Sequence, residues 1–116
     1  MLTVRDVVQQ LKLKLVAGEG GLGREIRSGY VGDLLSCVMA KAAPGCLWVT
    51  VQGHPNVVAV ATLVSMAGIV VAEGARIDPT TVEKAEHEGV PLLASSKPSF
   101  AVVADLAAMG VKGGEG

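Results

Sequence analysis

Leu47 to Ala94 reads LWVTVQGHPNVVAVATLVSMAGIVVAEGARIDPTTVEKAEHEGVPLLA, and this stretch decides the fold. It opens on Leu47 to Val51, an apolar run of strand length. Asn56 to Ala67 then places apolar residues at every helical angle, and Ile69 to Ala72 reads Ile-Val-Val-Ala without alternation. Pro79 to Glu88 predicts a helix, with Asp78 as its cap, Pro79 in its first turn and Gly89 at its end. Leu92 to Ala94 is a third apolar strand. Continuous apolar strands joined by helices must be covered on both faces, which is the pattern of a parallel sheet. The right-handed crossover rule then fixes the handedness of each unit. The fold class is therefore α/β: a three-layer α/β/α single domain, with a mainly parallel sheet built from consecutive β-α-β units.

The flanks extend this frame. Val4, Val7, Val8 and Leu11 lie at i, i+3, i+4 and i+7, one apolar helical face, with Thr3 as cap and Asp6 completing a capping-box variant. Leu13 to Val16 reads as a short strand and Ile26 to Val31 as another. Asp33 to Ala40 reads as a short helix opened by Asp33 as cap, and Ala43-Pro44-Gly45 as a turn. Ser99 to Met109 is expected to be the last helix, with Ser99 as cap. Residues 3–110 form the domain in this reading, and 111–116 a flexible C-terminal tail.

Composition excludes several classes. The chain has 116 residues, 50% of them hydrophobic, and a formal charge of −1. That apolar content excludes disorder, and the length fits one domain. A near-neutral charge and 3% aromatics argue against a nucleic-acid surface, which needs a basic excess or stacking rings. The N-terminus carries no basic segment leading into an apolar run, so it does not read as a signal peptide. Ala42 to Ala72 lacks charge, but Pro44, Gln52, His54, Pro55 and Asn56 interrupt it, so no membrane span is expected. The expected compartment is a reducing cytoplasm. Cys37 and Cys46 have no zinc-ligand spacing and read as small buried hydrophobes. No metal and no cofactor is expected.

Gly18-Glu19-Gly20-Gly21-Leu22-Gly23 fits the dinucleotide pattern G-x-G-x-x-G after a candidate strand. That pattern needs a following helix to receive the pyrophosphate. The continuation Arg24 to Tyr30 is glycine-broken and reads as strand, and Glu19 would put a carboxylate in the cradle, so the segment reads as a loop. In a parallel open sheet, ligands sit beyond the carboxyl ends of the strands. That rule selects Thr50, Gln52, Gly53, His54 and Asn56, then Glu73-Gly74, then Ser95-Ser96. The first group either binds a ligand or, with His54 or Asn56, simply caps the next helix. Catalysis by His54 would need an orienting acid, for which Asp33 and Glu73 are candidates, or a cysteine partner. A helix as apolar as Asn56–Ala67 must be buried on all sides, by the rest of the domain or by a second subunit.

Four segments together resemble the signature of the DRTGG domain family. They are Arg24 to Ser36, Leu47 to Ala59, Ala67 to Val71 and Ala85 to Leu93, and the resemblance covers Val4 to Met109. The chain departs from the pattern at Ser28, where a second glycine before Gly29 is expected. What the resemblance implies is an accessory module. DRTGG domains sit beside the catalytic domain of some phosphate acetyltransferases and between nucleotide-sensing CBS domains of some inorganic pyrophosphatases. Their fold is similar to the non-catalytic N-terminal domain of bacterial HPr kinase/phosphorylase. Stand-alone forms are encoded near anti-sigma-type kinases and iron-only hydrogenases.

The implied function is a non-enzymatic regulatory domain, a homodimer that senses a small metabolite or a nucleotide-like anion. The alternative is a ligand-free interaction subunit for a partner enzyme or kinase. The positions that match the pattern and could bind are Arg24, Asp33, Thr50, Gln52, His54 and Asn56. Arg24 and Asp33 could instead pair with each other or cap elements.

Overall fold

Five strands form one sheet in the order β1-β5-β4-β3-β2. The computed structural model describes residues 1–114. The strands are β1 (Lys14–Ala17), β2 (Ser28–Val31), β3 (Cys46–Thr50), β4 (Gly68–Val71) and β5 (Leu92–Ala94). The α-helices are α1 (Val4–Leu11), α2 (Leu35–Lys41), α3 (Asn56–Val64), α4 (Pro79–Glu88) and α5 (Ser99–Ala108). Strands β2 to β5 run parallel in chain order, and β1 alone pairs antiparallel, against β5. The mainly parallel α/β/α reading holds.

Parallel neighbours in chain order need every crossover to turn the same way, so α2, α3 and α4 fall on one face. The core divides accordingly. Val38 of α2, Val57, Val58 and Ala61 of α3, and Ala85 of α4 pack with Trp48, Ile69, Val71 and Leu92. Val4 and Val7 of α1 and Val102 and Leu106 of α5 pack with Leu47, Val49, Val70 and Leu93 on the other face. Successive strand residues alternate between the two clusters, as the period of two requires. Both faces are covered, so every residue of β3 and β4 is buried. Burying each such aliphatic side chain contributes roughly 1.5–3 kcal/mol, and the sum must offset the entropy of ordering the chain. The Trp48 indole N–H donates to the Gly32 carbonyl at 2.8 Å, so its one polar atom is satisfied inside this core.

The local signals fare unevenly. The capping box of α1 is present: the Asp6 N–H donates to Thr3 Oγ1 at 3.3 Å, and the Thr3 N–H to Asp6 Oδ2 at 2.9 Å. Gly89 ends α4 as expected. Three predicted caps do something else. Asp33 lies before the Leu34 cap of α2 and makes no capping bond there. Asp78 occupies the cap position of α4, but its carboxylate pairs with Arg76 at 2.8 Å. Ser99 is the first residue of α5, and its N–H is capped from across the fold by Glu73 Oε2 at 2.7 Å. Helix α3 stops at Val64, three residues short of the expected end, because Ser65 turns left-handed at φ 62°. It is also not buried all round: Ala59 and Leu63 face outward.

The glycine-rich segment carries a short 3₁₀ turn, Glu19–Gly21, and no α-helix follows it before β2. Gly18 has φ +81°, and a Cβ there would collide with the Val90 carbonyl. Gly18 and Gly21 serve a close approach to the loop before β5. Beyond α5, Val111 packs against the second core cluster, and the Lys112 carbonyl accepts the Gly29 N–H at 2.8 Å. Residues 115 and 116 of the expected tail lie outside the described residues.

Candidate functional site

Parallel order brings the loops after β2, β3, β4 and β5 to one edge of the sheet. Asp33 follows β2, and Thr50 closes β3 beside it. Asp33 Oδ1 accepts from the Thr50 hydroxyl at 2.8 Å and from the Val51 N–H at 2.9 Å. Thr50 Oγ1 in turn accepts the Gln52 N–H at 3.2 Å, and Gln52 Nε2 donates to the Asp33 carbonyl at 3.2 Å. Asp33, Thr50 and Gln52 are therefore brought together, and they satisfy one another. Thr50 is buried, while Asp33 and Gln52 reach solvent.

The next turn is pinned to α4. The Gly53 carbonyl accepts the Thr81 hydroxyl at 2.6 Å and the Asp78 N–H at 3.1 Å. A Cβ on Gly53 would collide with the Arg76 carbonyl, so only glycine fits. His54 and Asn56 stand exposed beyond it. His54 Nδ1 accepts the Asn56 N–H at 3.1 Å, which leaves the imidazole proton on Nε2. His54 thus serves the start of α3, in place of an Asn56 side-chain cap.

Arg24 belongs elsewhere. It lies at the opposite edge of the sheet, where its guanidinium donates to the Met66 carbonyl at 3.0 Å. There it lines an open cleft of about 500 Å³ with Arg27, Thr62, Ser65 and Glu88. It does not pair with Asp33. Neither acid proposed to orient His54 does so: Asp33 is held by Thr50 and Val51, and Glu73 by the Ser99 N–H. Cys46 is fully buried, and that burial pushes its thiol up to about 11, so it carries no thiolate at neutral pH. The Cys37 Sγ lies 3.6 Å from the Tyr30 hydroxyl, and this contact raises the phenol above its ordinary value. Among the described residues no group of three His, Cys, Asp or Glu side chains converges to hold a metal ion. Among them, too, no helix is long and apolar enough to cross a membrane.

A second cleft lies at the carboxyl edge, lined in part by Gly74, Ser95 and Ser96, which the strand-end rule selects from the sequence. It opens over β1, β4 and β5, with a volume of about 720 Å³, and is bordered by Lys12, Lys14, Ser95, Ser96 and Lys97. The Ser95-Ser96 position was legible from the strand-end rule. Lys12 and Lys14 were not, because β1 reaches this edge only through its antiparallel pairing, Lys14 opposite Ala94.

No family model and no curated protein matches the sequence. Among solved structures, a match is the regulatory region of Clostridium perfringens pyrophosphatase, containing CBS and DRTGG domains. The TM-score is 0.64 at 11% identity, over 88% of this chain. The two share a fold. That agrees with the DRTGG resemblance of the sequence. This chain spans 44% of the length of the regulatory region, and that region is complexed with an activator, diadenosine tetraphosphate.

Proposed function

We propose that this chain is a DRTGG-type regulatory module that binds a nucleotide-like anion at the carboxyl edge of its sheet, acts as a homodimer and performs no catalysis of its own. The observation that carries the reading is the shared fold with a pyrophosphatase regulatory region that holds a dinucleotide activator. Two features of the edge support it. Exposed Gln52, His54 and Asn56 stand where parallel sheets meet their ligands. Among the described residues, His54 Nδ1 accepts a backbone N–H, and the two carboxylates considered as its partners are held by other groups, Asp33 by Thr50 and Val51 and Glu73 by Ser99. Asp33 and Thr50 take part as the frame that holds the 50–56 segment. Arg24, at the far edge, would meet a different part of a partner or ligand. A reducing cytoplasm suits two free cysteines.

The test is thermal denaturation with adenine and guanine nucleotides, dinucleotides, acetyl phosphate and coenzyme A. A ligand at a hundredfold excess over Kd stabilises by about 2.7 kcal/mol. A shift that disappears in His54→Ala supports contact by the 50–56 segment. No shift with any compound overturns the sensing reading.

A second reading, an interaction subunit without a ligand, rests on apolar side chains left in solvent. Leu34 (69% exposed) precedes α2, and Leu63 (73%) lies on α3. The same side chains support the homodimer. Sedimentation at micromolar concentration giving only an 11.8 kDa species would remove that part of the proposal.

A further inference from the structure

We propose that the lysine-bordered cleft over β1, β4 and β5 holds the phosphates of a nucleoside polyphosphate. This rests on the anion-sensing reading and gives it a location outside the six residues considered above. The first argument is topological. The chain leaves β4 for α4 on one face of the sheet and leaves β5 for α5 on the other. Neighbouring parallel strands whose connections part in this way leave a crevice between their carboxyl ends, and ligands of open α/β sheets bind there. The cleft of about 720 Å³ lies at that crevice, and this volume is in the range of small-molecule sites.

The second argument is chemical. Lys12 ends α1, Lys14 begins β1 and Lys97 follows β5, so three separate elements bring a lysine to one opening. Among the described residues, no aspartate or glutamate lines it. Lys97 Nζ is held by Asp105 at 2.9 Å, which fixes it and partly offsets its charge. Lys12 and Lys14 form no ion pair among the described residues. They are two point charges that have not been neutralised, the arrangement that attracts phosphate. The floor is different in kind. Half-buried Val16, Ile77 and Val82 present apolar surface, and a flat base can lie on such a floor while its phosphates reach the rim. A free phosphate would use the rim alone.

Isothermal titration of the full chain with ATP, adenosine and inorganic tripolyphosphate tests this. ATP is expected to bind, with adenosine and tripolyphosphate each weaker by about tenfold or more. Lys12→Gln with Lys14→Gln keeps the aliphatic stems and is expected to cost ATP about tenfold in affinity, and the matching pair of arginine substitutions to restore it. Lys84→Gln with Lys112→Gln removes the same charge away from the cleft and should leave affinity within about twofold. Equal losses in both pairs would mean diffuse attraction and overturn the site. ATP binding that survives the Lys12 and Lys14 changes but fails in His54→Ala overturns this inference and leaves the sensing reading standing. If no phosphate compound binds the unaltered chain, both fall.

Discussion

Replacing Asp33 separates a framework role from a charge-dependent one. In the structure a single oxygen, Oδ1, accepts both the Thr50 hydroxyl (2.8 Å) and the Val51 N–H (2.9 Å). Asp33→Asn keeps an oxygen at that position, so both bonds can re-form without charge. Asp33→Ala removes both and strips the buried Thr50 hydroxyl of its acceptor. A hydrogen bond to a charged group is worth about 1.5–3 kcal/mol when shielded, and Asp33 is exposed, so about 1 kcal/mol each is reasonable. Asp33→Ala should therefore lose about 2 kcal/mol, and Asp33→Asn less than about half of that. Urea unfolding monitored by Trp48 fluorescence measures both, with an unchanged m-value as the check that only stability has moved. Equal losses for alanine and asparagine would refute the argument, because they would show that charge, and not the shared oxygen, holds the loop.

Two other outcomes follow from the same geometry. Gly53→Ala drives a methyl into the Arg76 carbonyl and must separate the β3 turn from the loop before α4; it should destabilise by about 3 kcal/mol or more, read as a lowered urea midpoint. The carboxyl of Asp6 is held below its ordinary value of 3.8, first by the Thr3 backbone N–H and then by the Thr3 hydroxyl. A carboxyl lowered in the folded state adds stability that is full above 3.8 and is lost as pH falls through the folded value. Asp6→Asn should thus be less stable than the parent at pH 7, and urea midpoints of the two chains should converge in stronger acid; a gap that stays constant down to pH 2 would contradict the capping box.

The parts of the fold legible in the sequence are those set by burial or by local bonds. Strands β3, β4 and β5 announce themselves because both of their faces are covered, which makes nearly every residue apolar, Thr50 at the end of β3 being the polar exception. Thr3 and Asp6 reveal α1 because their bonds span three residues. Caps made over distance are invisible: Ser99 looks like a cap, yet Glu73, 26 residues away, supplies the acceptor. Strand β1 was displaced by one residue and its direction was unread, because a four-residue edge strand carries too few side chains to declare a partner. The end of α3 was misplaced because Gly68 is the residue expected to break a helix, and Ser65 takes the left-handed turn instead.

The candidate site shows the same division more sharply, and there it bears on function. Polar residues at strand ends look alike in a sequence whether they await a ligand or satisfy one another. Over β2 and β3 the edge is closed: Asp33 is bonded to Thr50 and Val51, and the Gly53 carbonyl to Thr81 and Asp78. A ligand docking on those atoms would have to replace bonds already made, so it gains little from them. Over β4 and β5 the loops are also tied together, the Glu73 N–H to the Lys97 carbonyl and the Gly74 N–H to the Ser95 carbonyl, but a cleft remains beside them where β1 delivers Lys14 alongside Ala94. Lys12 and Lys14 form no ion pair among the described residues, so the proposed anion would gain their attraction without breaking a salt bridge. The strand-end rule picks one edge of the sheet, and the bonds made along it separate the self-satisfied Asp33–Thr50–Gln52 group from the lysine-bordered cleft proposed as the phosphate site.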